Sequence, residues 1–396
     1  MIQKLRNYDF TLMITPILLA GFGIVMIYSA SMVSAVVAGL DSTYFMIKQL
    51  QWFILSLVAF IICSLFPYQK YQKLIKPIIL LCVILLVAVL LFGKSAHNAK
   101  RAIVLFGSTS IQPAEFVKLG LILYLASIYS KKQSYINDFF KGVLPPLILT
   151  ASILGLIILQ PDIGTSVIIL LIACSIIFSS GIRIKHLMVL ISLGLITLAI
   201  AIPKMITEVR IDRFTGAYQP FSDPADSGYH LIQSYLAIGV GGLTGEGLGQ
   251  SIQKLGYLWG AYTDFIMAVI AEELGFIGVV IVIGLIVLIV LRGIFIARKC
   301  TDSFGALLAI GISSMVGIQA LINLGSTSGI LPITGVPLPF ISYGGSSLLV
   351  LMAAMGILNN IAMTVKKGQG ESTTIDSQQL SKMNKFEYLG GKTWSN

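Results

Sequence analysis

Lys254-Leu-Gly-Tyr-Leu-Trp-Gly-Ala-Tyr-Thr-Asp-Phe-Ile-Met-Ala-Val-Ile-Ala-Glu-Glu273 is a glycine-broken polar loop that runs directly into apolar sequence. The apolar part predicts a helix from near Thr263 to about Leu291, closed by Arg292. A bilayer's hydrocarbon layer takes about 20 helical residues, and counting back that far from Arg292 reaches Glu272. At ~1.5 Å per residue Asp264 then lies about 12 Å further along, where lipid meets water. Asp264, Ala268 and Glu272 are spaced i, i+4, i+8 and so share one helix face. Asp264 can be read as an ordinary cap of the helix start, or as the carboxylate of a reaction centre facing outward.

The apolar character extends over the whole chain. Of 396 residues, 56% are hydrophobic and 11% charged, and the mean hydropathy is +0.91. That is more apolar surface than a soluble domain can bury. Ten runs are long enough to cross a bilayer: 11–33, 47–66, 75–93, 113–130, 142–160, 163–181, 185–203, 264–291, 303–325 and 343–364. The expected fold class is therefore all-α, a polytopic membrane protein with ten transmembrane helices in one domain, residues 1–365. The polar tail, 366–396, is expected to be disordered. Only Pro161 and Asp162 separate the fifth and sixth runs, so these form a tight hairpin. The run from Thr11 is too long for a signal peptide and is read as a retained span. Cys63, Cys82, Cys174 and Cys300 show neither a disulfide scaffold nor a metal-ligand spacing.

Charge orients the chain. With both termini cytoplasmic, the inner segments hold 18 of the 27 basic residues and 6 of the 17 acidic ones. Every inner loop is then basic, as the positive-inside rule requires. The net charge of +10 is thus topology rather than a nucleic-acid patch. On the outer face lie a loop at 94–112, a long loop at 204–263 and a charge-free one at 326–342.

These outer segments carry the candidate chemistry. Arg101 sits in the first loop, and Gln112-Pro113-Ala-Glu115 opens the fourth run. Glu115 suits the positive end of that helix. Lys118, one turn on, is its i, i+3 partner and a cation inside an apolar span, which is costly without a task. Asp162 reads first as the cap of the sixth helix. The long loop brings Arg210, Asp212 and Arg213, then Gly228-Tyr-His and Gln233-Ser234. Its run Gly239-Val-Gly-Gly-Leu-Thr-Gly-Glu-Gly-Leu-Gly249 would let backbone N–H groups approach an anion, with Lys254 as counter-charge. Gly335-Val-Pro-Leu-Pro-Phe-Ile-Ser-Tyr-Gly-Gly-Ser-Ser347 is too rich in proline and glycine for one clean helix. Such backbone is tolerated at membrane depth only where protein or a water-filled cavity satisfies it, so it is expected to line the same outward cavity as Asp264.

Several of these motifs together resemble the SEDS family of peptidoglycan glycosyltransferases, which includes FtsW, SpoVE and RodA. They are Gln160-Pro-Asp-Ile-Gly-Thr165, Gly228-Tyr…Gln233-Ser234, Gln253-Lys-Leu-Gly-Tyr257, Thr263-Asp-Phe-Ile…Glu272-Glu-Leu-Gly275 and the 335–347 run. The resemblance covers roughly residues 8–365. Tyr28-Ser-Ala-Ser31 and Gln253-Lys-Leu-Gly-Tyr257 look more like FtsW or SpoVE than RodA. Two places depart from the family pattern. Ala102 follows Arg101 where a Trp is usual, and Trp259-Gly-Ala-Tyr262 stands where Pro-Glu-Ala-His is usual.

The resemblance implies polymerisation of lipid II on the outer face of the cytoplasmic membrane, in septal wall synthesis, with Asp264 as the catalytic residue. Inverting transfer would have Asp264 take the proton of the acceptor hydroxyl while an undecaprenyl pyrophosphate departs. Arg101, Arg210, Arg213, Lys118 and Lys254 are the candidate cations for that diphosphate. Glu115, Gln233, Ser342 and Ser346 complete the expected substrate-binding set. A divalent cation (Mg or Mn) could assist, although nothing in the sequence spells out a metal cage. The implied partners are a class B penicillin-binding protein and other divisome proteins. A lipid II flippase or transporter, or a non-catalytic scaffold for wall enzymes, are the competing readings.

Overall fold

The computed structural model describes residues 8–96, 99–104, 110–133, 138–183, 185, 186, 188, 192 and 214–390. Its helices are α1 (Phe10–Val37), α2 (Tyr44–Leu65), α3 (Tyr68–Phe92), α4 (Pro113–Lys131), α5 (Leu144–Ile158) and α6 (Ile163–Ser179). After these come α7 (Tyr229–Gly241), α8 (Ile266–Lys299), α9 (Ser303–Thr327) and α10 (Gly345–Gly390). Among the described residues seven helical segments are long and apolar enough to cross a membrane, and α6 is a shorter apolar helix. The expected run 185–203 lies almost wholly outside the described residues. The other nine each coincide with a helix, whereas α7 is a helix inside the expected long loop.

Two central helices organise the bundle. About two thirds or more of the apolar window of α9 and α10 is buried (67% and 72%), against 17% and 22% for α2 and α3. α9 packs against α8, α4 and α6, while α10 packs against α2 and α1. The peripheral helices leave apolar rows such as Ile54, Leu55, Val58, Ile61 and Ile62 exposed, which suits lipid rather than water. At the bundle end remote from the long loop, Asp9 caps α1 through Leu12 and pairs with Arg292 of α8 at 2.8 Å. Asn359 and Asn360 of α10 bind the chain at Asp9 and Tyr68.

Three details go beyond the sequence reading. The loop after α3 is not irregular: β1 (Lys94–Ala96), β2 (Ala99–Val104) and β3 (Ser110–Ile111) form a small antiparallel sheet in that order. Among the described residues the fold is helical with this one small sheet. The described part of the polar tail, up to Gly390, continues α10 as helix, in sequence with no proline to stop it. α8 is in fact two helices joined at a kink, where Gly275 adopts φ 65° and ψ −165°. That region is open essentially to glycine alone.

The kink explains the glycine-rich run. Glu246 and Gly247 donate their amides to the carbonyls of Glu272 and Glu273 at 2.9 and 3.0 Å. Phe276 and Ile277 donate back to Gly242 and Leu243. These amides therefore stitch the loop to the broken helix and do not form an anion cradle. All four cysteines are free.

Candidate active site

The turn before α8 positions the site. Thr263 and Phe265 both donate their amides to the carbonyl of Gly260, at 3.0 and 3.1 Å. The helix begins at Ile266, later than the sequence suggested, and its cap position is Phe265 with no side-chain cap. Asp264 thus stands in the turn and does not cap α8. Its Oδ1 accepts a 2.6 Å hydrogen bond from Thr263 Oγ1. Its backbone carbonyl accepts from Asn323 Nδ2 of α9 at 2.7 Å, and Asn323 also donates to Val336 O at 2.8 Å. Ser342 Oγ donates to the Thr263 carbonyl, and the Tyr343 amide to Tyr262 O at 2.9 Å. The turn is therefore clamped between α9 and the irregular 335–344 segment. Gly260, at φ +76°, presents no Cβ, which would lie 2.6 Å from Asp264 Oδ1.

Asp264 and Thr263 line a cavity of about 250 Å³. Lys48 and Trp52 of α2 form another wall, and Ala102, Ser110, Gln112, Gly335, Pro337 and residues 343–347 complete it. The irregular segment does share a cavity with Asp264, as expected from its prolines and glycines. Pockets that enclose a whole drug-sized ligand hold about 300–1,000 Å³, so this one suits the reacting end of a larger substrate. The negative charge at Asp264 is felt nearby. Burial lowers the pKa of His230 below the ordinary imidazole value, against the pull of Asp264 and Asp226. Burial raises the Tyr262 phenol and the Asp264 charge adds to the rise.

The other nominated residues divide by position. Ser346 lines the cavity and accepts from the Gln112 amide at 3.2 Å. Ser342 is the clamp just described and is buried. Lys118 is buried and spent internally: it meets Glu115 Oε2 at 2.9 Å and donates to Gln319 Oε1 at 2.9 Å. Gln319 in turn donates to Pro337 O and Ser347 Oγ, so Glu115 and Lys118 brace the cavity wall from behind. Lys254 is likewise buried, held by Glu273 at 2.7 Å and Ser29 Oγ at 2.8 Å. A substrate diphosphate does not reach either lysine without breaking a buried pair. Glu272 accepts from Ser251 Oγ and the Ile252 amide, fixing the loop that carries Lys254.

Arg101 donates to Pro161 O at 2.7 Å and lies 4.0 Å from Asp162, tying β2 to the α5–α6 hairpin. Asp162 caps α6 through Thr165 and accepts from Gln112 Nε2 at 3.2 Å. Gln233 is half-buried on α7 and does not line the cavity, while its neighbour Ser234 donates to Thr327 O. Arg210 and Arg213 lie outside the described residues. The sequence reading passed over Lys48 and Trp52. A lysine inside an apolar run was the available signal for the first. No group of three or more His, Cys, Asp or Glu that could hold a metal ion occurs among the described residues. Among the described residues the cavity offers one carboxylate beside neutral oxygens, so a hard cation there would take most of its ligands from water and substrate.

Fold and site together define a multi-pass helical membrane protein with a polar cavity built around one carboxylate. The chain belongs to the FtsW, RodA and SpoVE family, whose model, described as "Cell cycle protein", matches residues 10–367. It is 50% identical over 379 residues to the probable peptidoglycan glycosyltransferase FtsW of Bacillus subtilis (strain 168), covering 93% of this chain and 94% of that one. It is 40% identical over 366 residues to stage V sporulation protein E of the same strain, covering 91% of this chain and 99% of that one. Among solved structures, a chain of a peptidoglycan synthase complex that coordinates polymerization and crosslinking aligns with TM-score 0.74 at 28% identity, over 90% of this chain and 98% of that one. The rod shape determining protein RodA of Thermus thermophilus aligns with TM-score 0.65 at 28% identity, over 90% and 96%.

Proposed function

We propose that this chain is a peptidoglycan glycosyltransferase that polymerises lipid II, acting in septal wall synthesis. The observation that carries the reading is the Asp264 carboxylate, which caps no helix and lines a cavity, in a chain half-identical to a protein named as such a transferase. In this reading ten helices cross the cytoplasmic membrane, with 185–203 supplying the seventh. Both termini are cytoplasmic and the cavity faces outward; the basic inner segments support that orientation.

Asp264 is the general base. It takes the proton of the acceptor sugar's 4-hydroxyl as that oxygen attacks the anomeric carbon of the growing chain. A positioned base of this kind contributes roughly 10²–10⁴-fold. Thr263, donating to Oδ1, orients the carboxylate so that its other oxygen meets the hydroxyl. The bond from the anomeric carbon to phosphate breaks and the electron pair leaves on the lipid diphosphate. Arg101, Arg210 and Arg213 are the arginines proposed to meet that charge. Mg or Mn would add positive charge through the diphosphate oxygens themselves, and no step here depends on it. The proposed partner is a class B penicillin-binding protein, together with other divisome proteins.

The test is purified full-length protein with lipid II in detergent and in liposomes. Glycan polymer is expected. Lipid movement across liposomes without polymer would identify a transporter instead, and neither outcome would leave a scaffold.

A further inference from the structure

The face of α2 that meets the cavity carries chemistry that the mechanism above does not use. Phe45, Lys48, Gln49 and Trp52 are spaced three and four residues apart and so lie on one side of the helix. That side is registered against the site by several contacts. Gln49, buried, donates to Ser342 O at 3.4 Å and accepts from the Gly344 amide at 3.3 Å. Phe45 packs on Tyr262 and Tyr343, with ring centres 4.7 and 5.3 Å away. Tyr262 lies two residues before Asp264 in the same turn. The position of Lys48 relative to Asp264 is therefore set by packing on both sides.

Among the described residues Lys48 is the one lysine or arginine that lines the cavity. Lysines near helix ends commonly reach for water. This one, half-buried, shares its cavity with the Asp264 carboxylate and sits one turn from an aromatic wall. Trp52 rests on the backbone of Gly345, where even a Cβ would overlap the indole ring. The ring is thus pinned on one side while it lines the cavity on the other. Such a ring presents an apolar surface suited to the C–H face of a pyranose.

We propose that Lys48 and Trp52 form the donor subsite of this cavity, Lys48 gripping the diphosphate as it leaves and Trp52 carrying the sugar attached to it. The assignment rests on the glycosyl-transfer reading and adds to it the groups on the leaving side. As the bond from the anomeric carbon to the phosphate oxygen breaks, the electron pair moves onto the diphosphate, and the Lys48 ammonium faces that growing charge without losing its proton. The acceptor proton goes to Asp264. The two charged groups therefore serve opposite ends of one displacement, which explains why a carboxylate and an ammonium share a small cavity.

The experiment uses the full-length protein, lipid II over a range of concentrations, and inorganic pyrophosphate as competitor and as calorimetric ligand. Lys48→Met should lower kcat about 100-fold, in the range seen when one preorganised charge-stabilising donor is removed. It should also weaken pyrophosphate binding and inhibition about 10-fold or more. Lys48→Arg, which keeps the charge, should recover a large part of both. Trp52→Leu should raise KM about 10-fold with pyrophosphate binding unchanged, and Trp52→Tyr should restore it. Melting curves identify any variant that fails to fold, in which case the Arg and Tyr variants carry the test. Wild-type kcat and pyrophosphate affinity in Lys48→Met would overturn the role of Lys48, and an unchanged KM in Trp52→Leu would overturn that of Trp52. Absence of polymer from the wild type would reject the glycosyl-transfer reading alone, because calorimetry with pyrophosphate still decides whether Lys48 holds a diphosphate.

Discussion

Replacing Lys254 with Met separates a structural lysine from a substrate-binding one. The ammonium lies 2.7 Å from Glu273 Oε1, and both side chains are almost fully buried (1% and 0% exposed). Ser29 Oγ completes the cluster, 2.6 Å from Glu273 Oε1 and 2.8 Å from the ammonium. Lys254→Met leaves the Glu273 carboxylate in the protein interior with a hydroxyl for company. Breaking a buried pair in this way costs about 3–5 kcal/mol, chiefly as an uncompensated charge. For a chain of 396 residues that corresponds to a fall of about 4–6 °C in the melting temperature. The double variant Lys254→Met with Glu273→Gln removes both charges and keeps a hydrogen-bonding group for Ser29. Its melting temperature should return to within about a degree of the wild type, because replacing a whole buried pair is often close to neutral. The same preparations are assayed for glycan polymer, and the double variant should polymerise at near the wild-type rate. A stable but inactive double variant would mean that Lys254 does grip the substrate. A single variant as stable as the wild type would refute the buried-pair argument itself.

Other expectations follow from the same geometry. Gly260→Ala adds a Cβ 2.6 Å from Asp264 Oδ1 at a φ of +76°, so polymerisation should fall about 10- to 100-fold if the carboxylate is displaced by an ångström. An unchanged rate would show that the carboxylate is free to step aside. Asn323→Ala removes a donor from the carbonyls of Val336 and Asp264, leaving Asp264 O only the longer bond from Thr327 Oγ1 at 3.4 Å, and should cost about 1–3 kcal/mol, read as a lower melting temperature together with reduced activity. His230 has its pKa lowered by burial, so the unfolded chain binds a proton more readily than the folded one. Its contribution to stability is full above the ordinary imidazole pKa and is lost as pH falls through and below it. Melting temperatures of the wild type should therefore drop on acidification below about pH 6.5. The part due to His230 should vanish in His230→Gln, and an identical pH profile in that variant would contradict the assignment.

The spans were readable because long apolar runs need no partner to be recognised: 264–291 is a helix in lipid whatever surrounds it. Its start was less so, since Gly260, in the left-handed region, lets the chain turn once more before Ile266. The 94–111 segment gave no strand signal because its strands are only two to six residues long. The glycine run was read as an anion cradle because its amides looked unassigned. Their acceptors are Glu272 and Glu273, carbonyls that become available only where α8 breaks. The cations were the hardest to rank. Lys118 and Lys254 find Gln319 and Ser29 at separations of 201 and 225 residues, which no local pattern reveals. Lys48 lies within the 47–66 run, and only the packing of α2 beside the Asp264 turn brings it to the cavity. Asp162 and Asp264 both stand just ahead of a helix in the sequence, yet only Asp162 caps one.

The central claim is that the Asp264 carboxylate removes the acceptor proton, and the rate of glycan polymer formation by purified Asp264→Asn tests it most directly. The amide keeps the size of the side chain and its hydrogen bond with Thr263, so the protein should fold and melt as the wild type does. Its rate from lipid II should fall by roughly 10²–10⁴-fold. Polymer made at the wild-type rate by that folded variant would contradict the account.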